Sequence, residues 1–296
     1  MSEPTDSSPL RVLAAIDLTE RSRMAFARAV ELARSPGAAL TLVHVMSDAM
    51  PAELAAAHEA YAREVLRDLA AKARAEGVAG VEPVLARGRD FEGLIEEARK
   101  AKADLVVIGT HRPSSLVQDM LGTTADRVLR HGGLPLLLVR SKAQGPYKSL
   151  LVAVDFSPAS RRALELALRW FARARVAAVT AYGSSRRSFL GDDAQAREAA
   201  AETRRLALKG ILQEVRHALG PGNDAESEAA IERVVPMVER GWAEDVILRA
   251  AQEEKPELIV VGTHARGGLQ HAVLGSVAEW VLTEAPCDVL AIPPPR

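Results

Sequence analysis

The chain has 296 residues, of which 48% are hydrophobic and 26% charged, a composition typical of folded globular proteins and not of disordered ones. Its 38 Lys and Arg residues nearly balance its 39 Asp and Glu residues, so a nucleic-acid partner is not expected. The single cysteine excludes an intrachain disulfide. The polar first ten residues and the short apolar runs predict no secretory signal, no membrane partner and a cytoplasmic protein.

Short apolar runs alternate with amphipathic stretches through the first half of the chain. The runs are rich in Val, Ile and Leu with little polar alternation, which is typical of strands buried on both faces of a parallel sheet. They occupy residues 11–16, 39–46, 81–86, 104–109 and 134–140. Helical spacing of apolar residues follows the first run, at Phe26, Ala29, Val30 and Ala33. This alternation predicts an α/β domain with an open parallel five-stranded sheet and helices on both faces.

The second half repeats the first. VLAAID at 12–17 corresponds to LLVAVD at 150–155, and DLVVIGTH at 104–111 corresponds to ELIVVGTH at 257–264. Asp17 and Asp155 are 138 positions apart, whereas Gly109 and Gly262 are 153 apart, so the second copy carries about 15 additional residues. We therefore predict two tandem domains of the same fold. The polar, Gly- and Pro-containing segment between them predicts the following bounds: first domain 1–141, linker 142–147, second domain 148–296.

Local signals define the elements of the second half. Ser157 followed by Pro158 predicts a helix start, because the hydroxyl can cap the helix and proline lacks only an N–H that is unpaired there. The segments GSSRRSFLGDD at 183–193 and GPGNDAESE at 220–228 are predicted to be surface loops. The stretch 192–219 predicts a long amphipathic helix that covers the sheet.

Two strand ends in each half are candidates for function, because ligands of open α/β sheets bind beyond the carboxyl ends of the strands. The first strand ends in Asp17 or Asp155, and the fourth ends in Gly109 or Gly262. Glycine would let the backbone turn sharply and approach a ligand. The alternative is structural: the aspartates are helix caps or turn formers, and the glycines are only turns.

Gly275 and Ser276 open a predicted helix after the fourth strand of the second half. The N-terminus of a helix presents unpaired N–H groups and a partial positive charge, which suits a phosphate group. The alternative is that Gly275 and Ser276 mark only a helix start.

These residues together resemble the ATP-binding signature of universal stress proteins, G-x2-G-x9-G-[S/T]. The second half matches it with Gly262, then Gly275-Ser276, and the first half with Gly109, then Gly122-Thr123. VAVDFSPAS at 152–160 and EAPCDVLAI at 284–292 are similar to the first and last strands of that family. The resemblance covers nearly the whole chain and implies a tandem universal stress protein with Rossmann-like, adenine nucleotide alpha hydrolase-like domains.

The resemblance implies a site for ATP, with or without Mg²⁺, in each half. Asp155 would accept hydrogen bonds from the ribose hydroxyls, and the backbone near Ala181 would contact adenine. The phosphates would be lined by Gly262, Arg266, Gly275 and Ser276. The corresponding residues of the first half are Asp17, Val45, Gly109, Gly122 and Thr123.

The second glycine of the signature is replaced in both halves, by Ala265 and by Arg112 followed by Pro113. Alanine would only weaken a phosphate loop, whereas arginine followed by a rigid proline would reshape it, so the second half is the favoured nucleotide site. A nucleotide-free interaction or chaperone-like scaffold with degenerate loops is the alternative function. An ATP-using enzyme of the pyrophosphatase type is disfavoured, because DLTERS at 17–22 and DFSPAS at 155–160 lack its SGGxDS-like loop.

No catalytic residue or metal site is predicted. The seven histidines form no HExxH motif or His/Cys cluster, which disfavours a metal site. Hydrolysis is expected to be slow or absent, because no set of residues offers an obvious activator of a nucleophile or a dedicated pair of carboxylates for magnesium. The resemblance also implies self-association. The last strands, at 136–139 and 289–292, would pair within the chain as a pseudo-dimer, and two chains could form a homodimer.

Overall fold

The computed structural model of the chain describes residues 9–109, 123–183, 194–219, 225–263 and 274–295. Two compact units divide it, Met1–Pro146 and Tyr147–Arg296. The described elements of the first unit are β1 Arg11–Ala15, α1 Glu20–Leu32, β2 Ala39–Met46, α2 Ala52–Ala75, β3 Gly80–Arg87, α3 Asp90–Lys100, β4 Leu105–Gly109, α4 Thr123–Gly132 and β5 Leu136–Val139.

The strands of the first unit are parallel and follow the order β3-β2-β1-β4-β5. The central strand β1 pairs with β2 on one side and with β4 on the other. Its middle residues, such as Leu13, are fully buried, as are Leu42 in β2 and Leu105 in β4. The predicted open parallel sheet is confirmed.

Helices cover both faces of this sheet. Neighbouring residues of a strand point to opposite faces, and on β2 the side chain of His44 bonds to His58 in α2 while that of Val45 lies against Gly93 in α3. Helices α2 and α3 therefore lie on opposite faces, and α4 packs against α3.

The second unit repeats this order. Its described elements are β6 Ser149–Ala153, α5 Pro158–Trp170, β7 Arg175–Tyr182, α6 Ala194–Leu219, α7 Ala225–Glu232, β8 Val235–Arg240, α8 Ala243–Glu254, β9 Leu258–Gly262, α9 Ser276–Glu284 and β10 Asp288–Ile292. The parallel strands follow the order β10-β9-β6-β7-β8. The strands β3 and β8 each stand at one end of the strand order of their unit, and they carry Pro83 and Pro236. Proline suits the edge of a sheet because it cannot donate a hydrogen bond to a further strand.

One loop prediction is wrong. Residues 225–228 were expected to be part of a surface loop, but they begin helix α7. The sequence AESEAAIE combines residues of high helix propensity with two buried side chains, Ala230 and Ile231, that anchor the helix.

Tyr147, at the end of the predicted linker, packs into the second unit. Its side chain is buried, and its hydroxyl donates a 2.6 Å hydrogen bond to Asp288 Oδ2. The ring meets Phe171 edge to face. Within the described residues, none of the helices is long and apolar enough to cross a membrane.

Candidate functional site

The carboxyl ends of β6, β7 and β9 form one side of a cleft in the second domain. The last hydrogen bond between β6 and β7 runs from Val154 N–H to Val179 O, at 2.8 Å. Strand β7 continues to Tyr182, so Ala181 extends beyond the point where β6 turns away. The crevice lies where β6 has β7 on one side and β9 on the other, which is the position expected for a ligand in an open α/β sheet.

Helices α5, α8 and α9 close the other sides of the cleft, which holds roughly 590 Å³ of space including its open mouth. Most of its lining is apolar and comes from Val179, Ala181, Val246, Ile247, Val261 and Val277. The five predicted residues of this domain that the structure describes all line this cleft: Asp155, Ala181, Gly262, Gly275 and Ser276. The sixth, Arg266, lies outside the described residues.

Asp155 lies on a tight turn between β6 and α5. Its Oδ1 accepts a 2.9 Å hydrogen bond from the Ser157 N–H, and the residue is exposed. The intervening Phe156 has φ of 66°, in the left-handed region. That conformation costs a residue with a Cβ about 1–2 kcal/mol, so the turn needs support from its surroundings. The aspartate is a turn former, as the structural alternative held, and it also presents its carboxylate at the cleft.

The turn leads into a helix with a satisfied N-terminus. Ser157 is the N-cap of α5 and accepts a hydrogen bond from Ser160 N–H, and Pro158 occupies the first helical position. The predicted helix start is confirmed. Ser160 lines the cleft, and its Oγ accepts a 3.3 Å bond from Asp155 N–H. Sequence reasoning missed Ser160. Its position three residues after Ser157 could have indicated it, because a capping side chain accepts a hydrogen bond from the N–H at that position.

Helix α9 begins differently. Its N-cap is Gly275, which has no side chain to cap the helix and whose own N–H bonds to Thr263 O at 2.8 Å. The first-turn N–H groups of Ser276, Val277 and Ala278 find no acceptor among the residues that the structure describes. All three residues line the cleft. This end of the cleft therefore suits an anion.

Gly262 lies between these two helix starts, at the end of β9. Its backbone is not in the left-handed region, so it does not supply the sharp turn that we expected. A Cβ at this position would instead collide with the backbone of α5, 2.7 Å from Ser160 N. The absence of a side chain at Gly262 therefore lets α5 pack close to the end of β9.

The first domain repeats the turn and the longer second strand. Asp17 Oδ1 accepts hydrogen bonds from Thr19 N–H at 2.9 Å and Thr19 Oγ–H at 2.7 Å, and Leu18 has φ of 62°. Val45 extends past the Ile16 N–H bond to Val43 O, as Ala181 does in the second domain. Gly109 ends β4 opposite Val139.

Gly122 lies outside the described residues, and Thr123 begins α4. Among the described residues of both domains, no group of three or more His, Cys, Asp or Glu side chains is placed to hold a metal ion.

A duplicated parallel α/β domain with helices on both faces is the architecture of the doubly wound α/β proteins, whose ligands bind in the crevice at the topological switch point. The sequence profile of the Universal stress protein family matches the chain twice, over residues 10–140 and 146–293. The chain therefore belongs to the universal stress protein family, as a tandem member.

Similar proteins fall in the same family. The chain is 26% identical over 197 residues to Universal stress protein Rv2005c of Mycobacterium tuberculosis, covering 64% of this chain and 61% of the relative. It is 41% identical over 59 residues to the Universal stress protein E homolog of Haemophilus influenzae, covering 20% and 19%. These matches span less than two thirds of either relative.

The crystal structure of a universal stress protein from Archaeoglobus fulgidus superposes with a TM-score of 0.70 at 18% identity, covering 96% of this chain and 98% of that one. That likeness concerns the fold.

Proposed function

We propose that the second domain binds an adenine nucleotide, ATP in preference, and that its occupancy regulates a stress or signalling response. The observation that carries the proposal is the meeting of five predicted residues in one cleft with three different chemistries along it. An apolar floor suits a base, an exposed carboxylate suits ribose hydroxyls, and an uncapped helix start suits phosphates.

The proposal assigns a group of this domain to each part of ATP. Ala181 and the surrounding Val side chains would contact adenine, and Asp155 would accept from the ribose. The N–H groups of Ser276 and Val277, with the Ser276 hydroxyl, would bind the phosphates, and Arg266 would add a cation. Any Mg²⁺ would be held mainly by the phosphate oxygens, since this end of the cleft offers amides and a hydroxyl.

We propose further that hydrolysis is slow or absent and that the protein acts in the cytoplasm as a nucleotide-controlled regulator. Self-association through the last strands belongs to the same proposal. Both β5 and β10 end the strand order of their own domain and consist of buried, mostly apolar residues. An exposed apolar edge strand tends to pair with another strand, which the other domain or a second chain could supply.

The nucleotide proposal is tested by native and denaturing mass spectrometry of purified protein together with ATP titration. Gly275→Arg is the disabling variant, because Gly275 has φ −67° and ψ 144°, which any residue adopts, so the added side chain should obstruct the helix start without straining the backbone. We expect at least a tenfold loss of affinity, about 1.4 kcal/mol. Gly122→Arg, the same change at the equivalent sequence position, is the control and should change ATP binding little.

Co-purified adenine nucleotide and saturable binding that Gly275→Arg removes would support the proposal. Absence of both at millimolar ATP would instead favour the nucleotide-free scaffold.

A further inference from the structure

Gly262 is a glycine for reasons of space. An ideal Cβ on this residue would lie 2.7 Å from Ser160 N, 2.8 Å from the Ala159 carbonyl carbon and 3.0 Å from Ala159 Cβ. The first two atoms belong to the backbone of α5 and cannot rotate out of the way. Gly262 itself pairs with Ile292 in the sheet and has no left-handed φ. Any larger residue must therefore push the first turn of α5 away from β9.

The part of α5 that rests on Gly262 also holds the turn of Asp155. Ser160 Oγ accepts from Asp155 N–H at 3.3 Å and donates to Ser157 O at 3.1 Å. Ser160 N–H donates to Ser157 Oγ at 3.2 Å, and Ser157 N–H donates to Asp155 Oδ1 at 2.9 Å. Ser157, Ala159 and Ser160 are each at most 2% exposed. A shift of this helix start would act on all four hydrogen bonds.

The turn also contains the left-handed Phe156, so it needs support from its surroundings, and these four bonds are part of that support. We infer that Gly262 is a positioning residue for the Asp155 carboxylate: it lets α5 close on β9 and so fixes where the carboxylate meets the ligand. This role is at the ribose end of the cleft and differs from the phosphate contact that the family signature implies. The ligand part of the inference rests on the proposed function.

Gly262→Ala and Gly275→Arg, the variant that obstructs the start of α9, separate the roles. The probes are ATP, adenosine and 2′,3′-dideoxyadenosine, each measured by calorimetric titration or by competition with ATP. We expect Gly262→Ala to weaken ATP and adenosine by the same factor, on the order of tenfold, and to leave dideoxyadenosine unchanged, because that probe lacks the hydroxyls that Asp155 would bind.

Gly275→Arg should weaken ATP and spare adenosine, because adenosine has no phosphate to reach the start of α9. If Gly262→Ala also weakens ATP and spares adenosine, Gly262 acts on the phosphates and the inference is wrong. Equal losses with all three probes would also overturn it, since they would indicate a general collapse of the cleft.

Ser160→Ala covers the case in which Gly262→Ala does not fold. It removes the acceptor of Asp155 N–H without adding an atom, and it should give the same ribose-dependent pattern with a smaller loss. A phosphate-dependent loss, or none, would contradict the inference.

Amide exchange without nucleotide tests the positioning independently of ATP binding. We expect the amides of Asp155, Ser157 and Ser160 to exchange at least tenfold faster in Gly262→Ala than in the wild type, with those of α9 unchanged. Unchanged exchange at these amides would overturn the positioning role even if ATP binds. Absence of nucleotide binding to the wild type, with the expected exchange, would refute only the proposed function.

Discussion

The two domains place side chains of opposite size at the same contact. In the first domain Val45 on β2 faces Gly93 on α3, where a Cβ would come within 2.8 Å of Val45 Cγ1. In the second domain the corresponding residues are Ala181 on β7 and Val246 on α8, and both line the cleft. Of the two corresponding positions, the larger side chain is therefore on the strand in the first domain and on the helix in the second.

The turns after the first strands differ as well. In the first domain the hydroxyl of Thr19 donates to Asp17, whereas in the second the hydroxyl of Ser157 accepts from the amide of Ser160. Thr19 therefore uses its hydroxyl within the turn, while Ser157 uses its hydroxyl to cap the helix. The two copies of one fold keep the backbone turn and differ in the hydrogen bond that this hydroxyl makes.

The largest expected effect concerns the two aspartates. Asp155→Ala removes a charged acceptor from the proposed ribose contact, and hydrogen bonds to charged groups contribute about 1.5–3 kcal/mol. We expect ATP affinity to fall roughly 10- to 100-fold, as measured by calorimetry. Asp17→Ala is the matched change and should leave the affinity nearly unchanged. An equal loss of ATP affinity in both variants would contradict the assignment of the ATP site to the second domain.

The next effect concerns the contact of Val45 with α3. Gly93→Ala should lower the free energy of unfolding by roughly 1–2 kcal/mol, because crowding exceeds the helix-propensity gain of alanine. Gly210 in α6 is the control: a Cβ there would meet nothing within 4 Å, so Gly210→Ala should stabilise by about 0.5–1 kcal/mol. Urea unfolding measures both. The double variant Val45→Ala/Gly93→Ala should relieve the crowding, and a loss that persists there would refute this account of the contact.

A smaller effect is expected at the helix caps. Ser157→Ala removes the side-chain cap of α5 and should cost about 1 kcal/mol of stability. Thr19→Ala removes a hydroxyl that donates to an exposed carboxylate, so its cost should be smaller. Chemical denaturation of the two variants compares them directly. Equal costs would indicate that the two turns are held in the same way.

The smallest effect is a pH dependence in the first domain. Hydrogen bonds from Arg63 and Arg87 hold the pKa of Glu59 below its ordinary value of 4.5. The stabilisation is therefore present above about pH 4.5 and is lost as the pH falls through the lowered pKa. The melting temperature of Glu59→Gln should be slightly below that of the wild type at pH 7, and the difference should disappear as the pH falls below 4.5. A difference in melting temperature that does not change with pH would exclude this linkage.

Much of the fold could be predicted because its signals are local. Buried parallel strands produce apolar runs, and the bounds of β2, residues 39–46, follow from one such run. Ser157-Pro158 predicted the start of α5 because capping chemistry depends on adjacent residues. The loop prediction for 225–228 failed because buried Ala230 and Ile231, farther along, stabilise a helix there.

The candidate site was less accessible to sequence reasoning, because its geometry depends on contacts between distant residues. Asp155 and Gly275 could be named from strand ends and a helix start. The close approach of α5 to Gly262 joins residues about a hundred positions apart, and no local pattern reports such a distance. The contact between Val45 and Gly93 likewise joins a strand and a helix that lie far apart in the chain.

Hydrogen–deuterium exchange with and without saturating ATP tests the central claim most directly, since it reports on both domains in one sample. Binding at the second-domain cleft predicts slower exchange at residues 153–160, 179–183 and 274–278. Residues 15–19 and 43–46 of the first domain should exchange as they do without ATP. Protection confined to the first domain, or equal in both, would contradict the claim that the second domain is the nucleotide site.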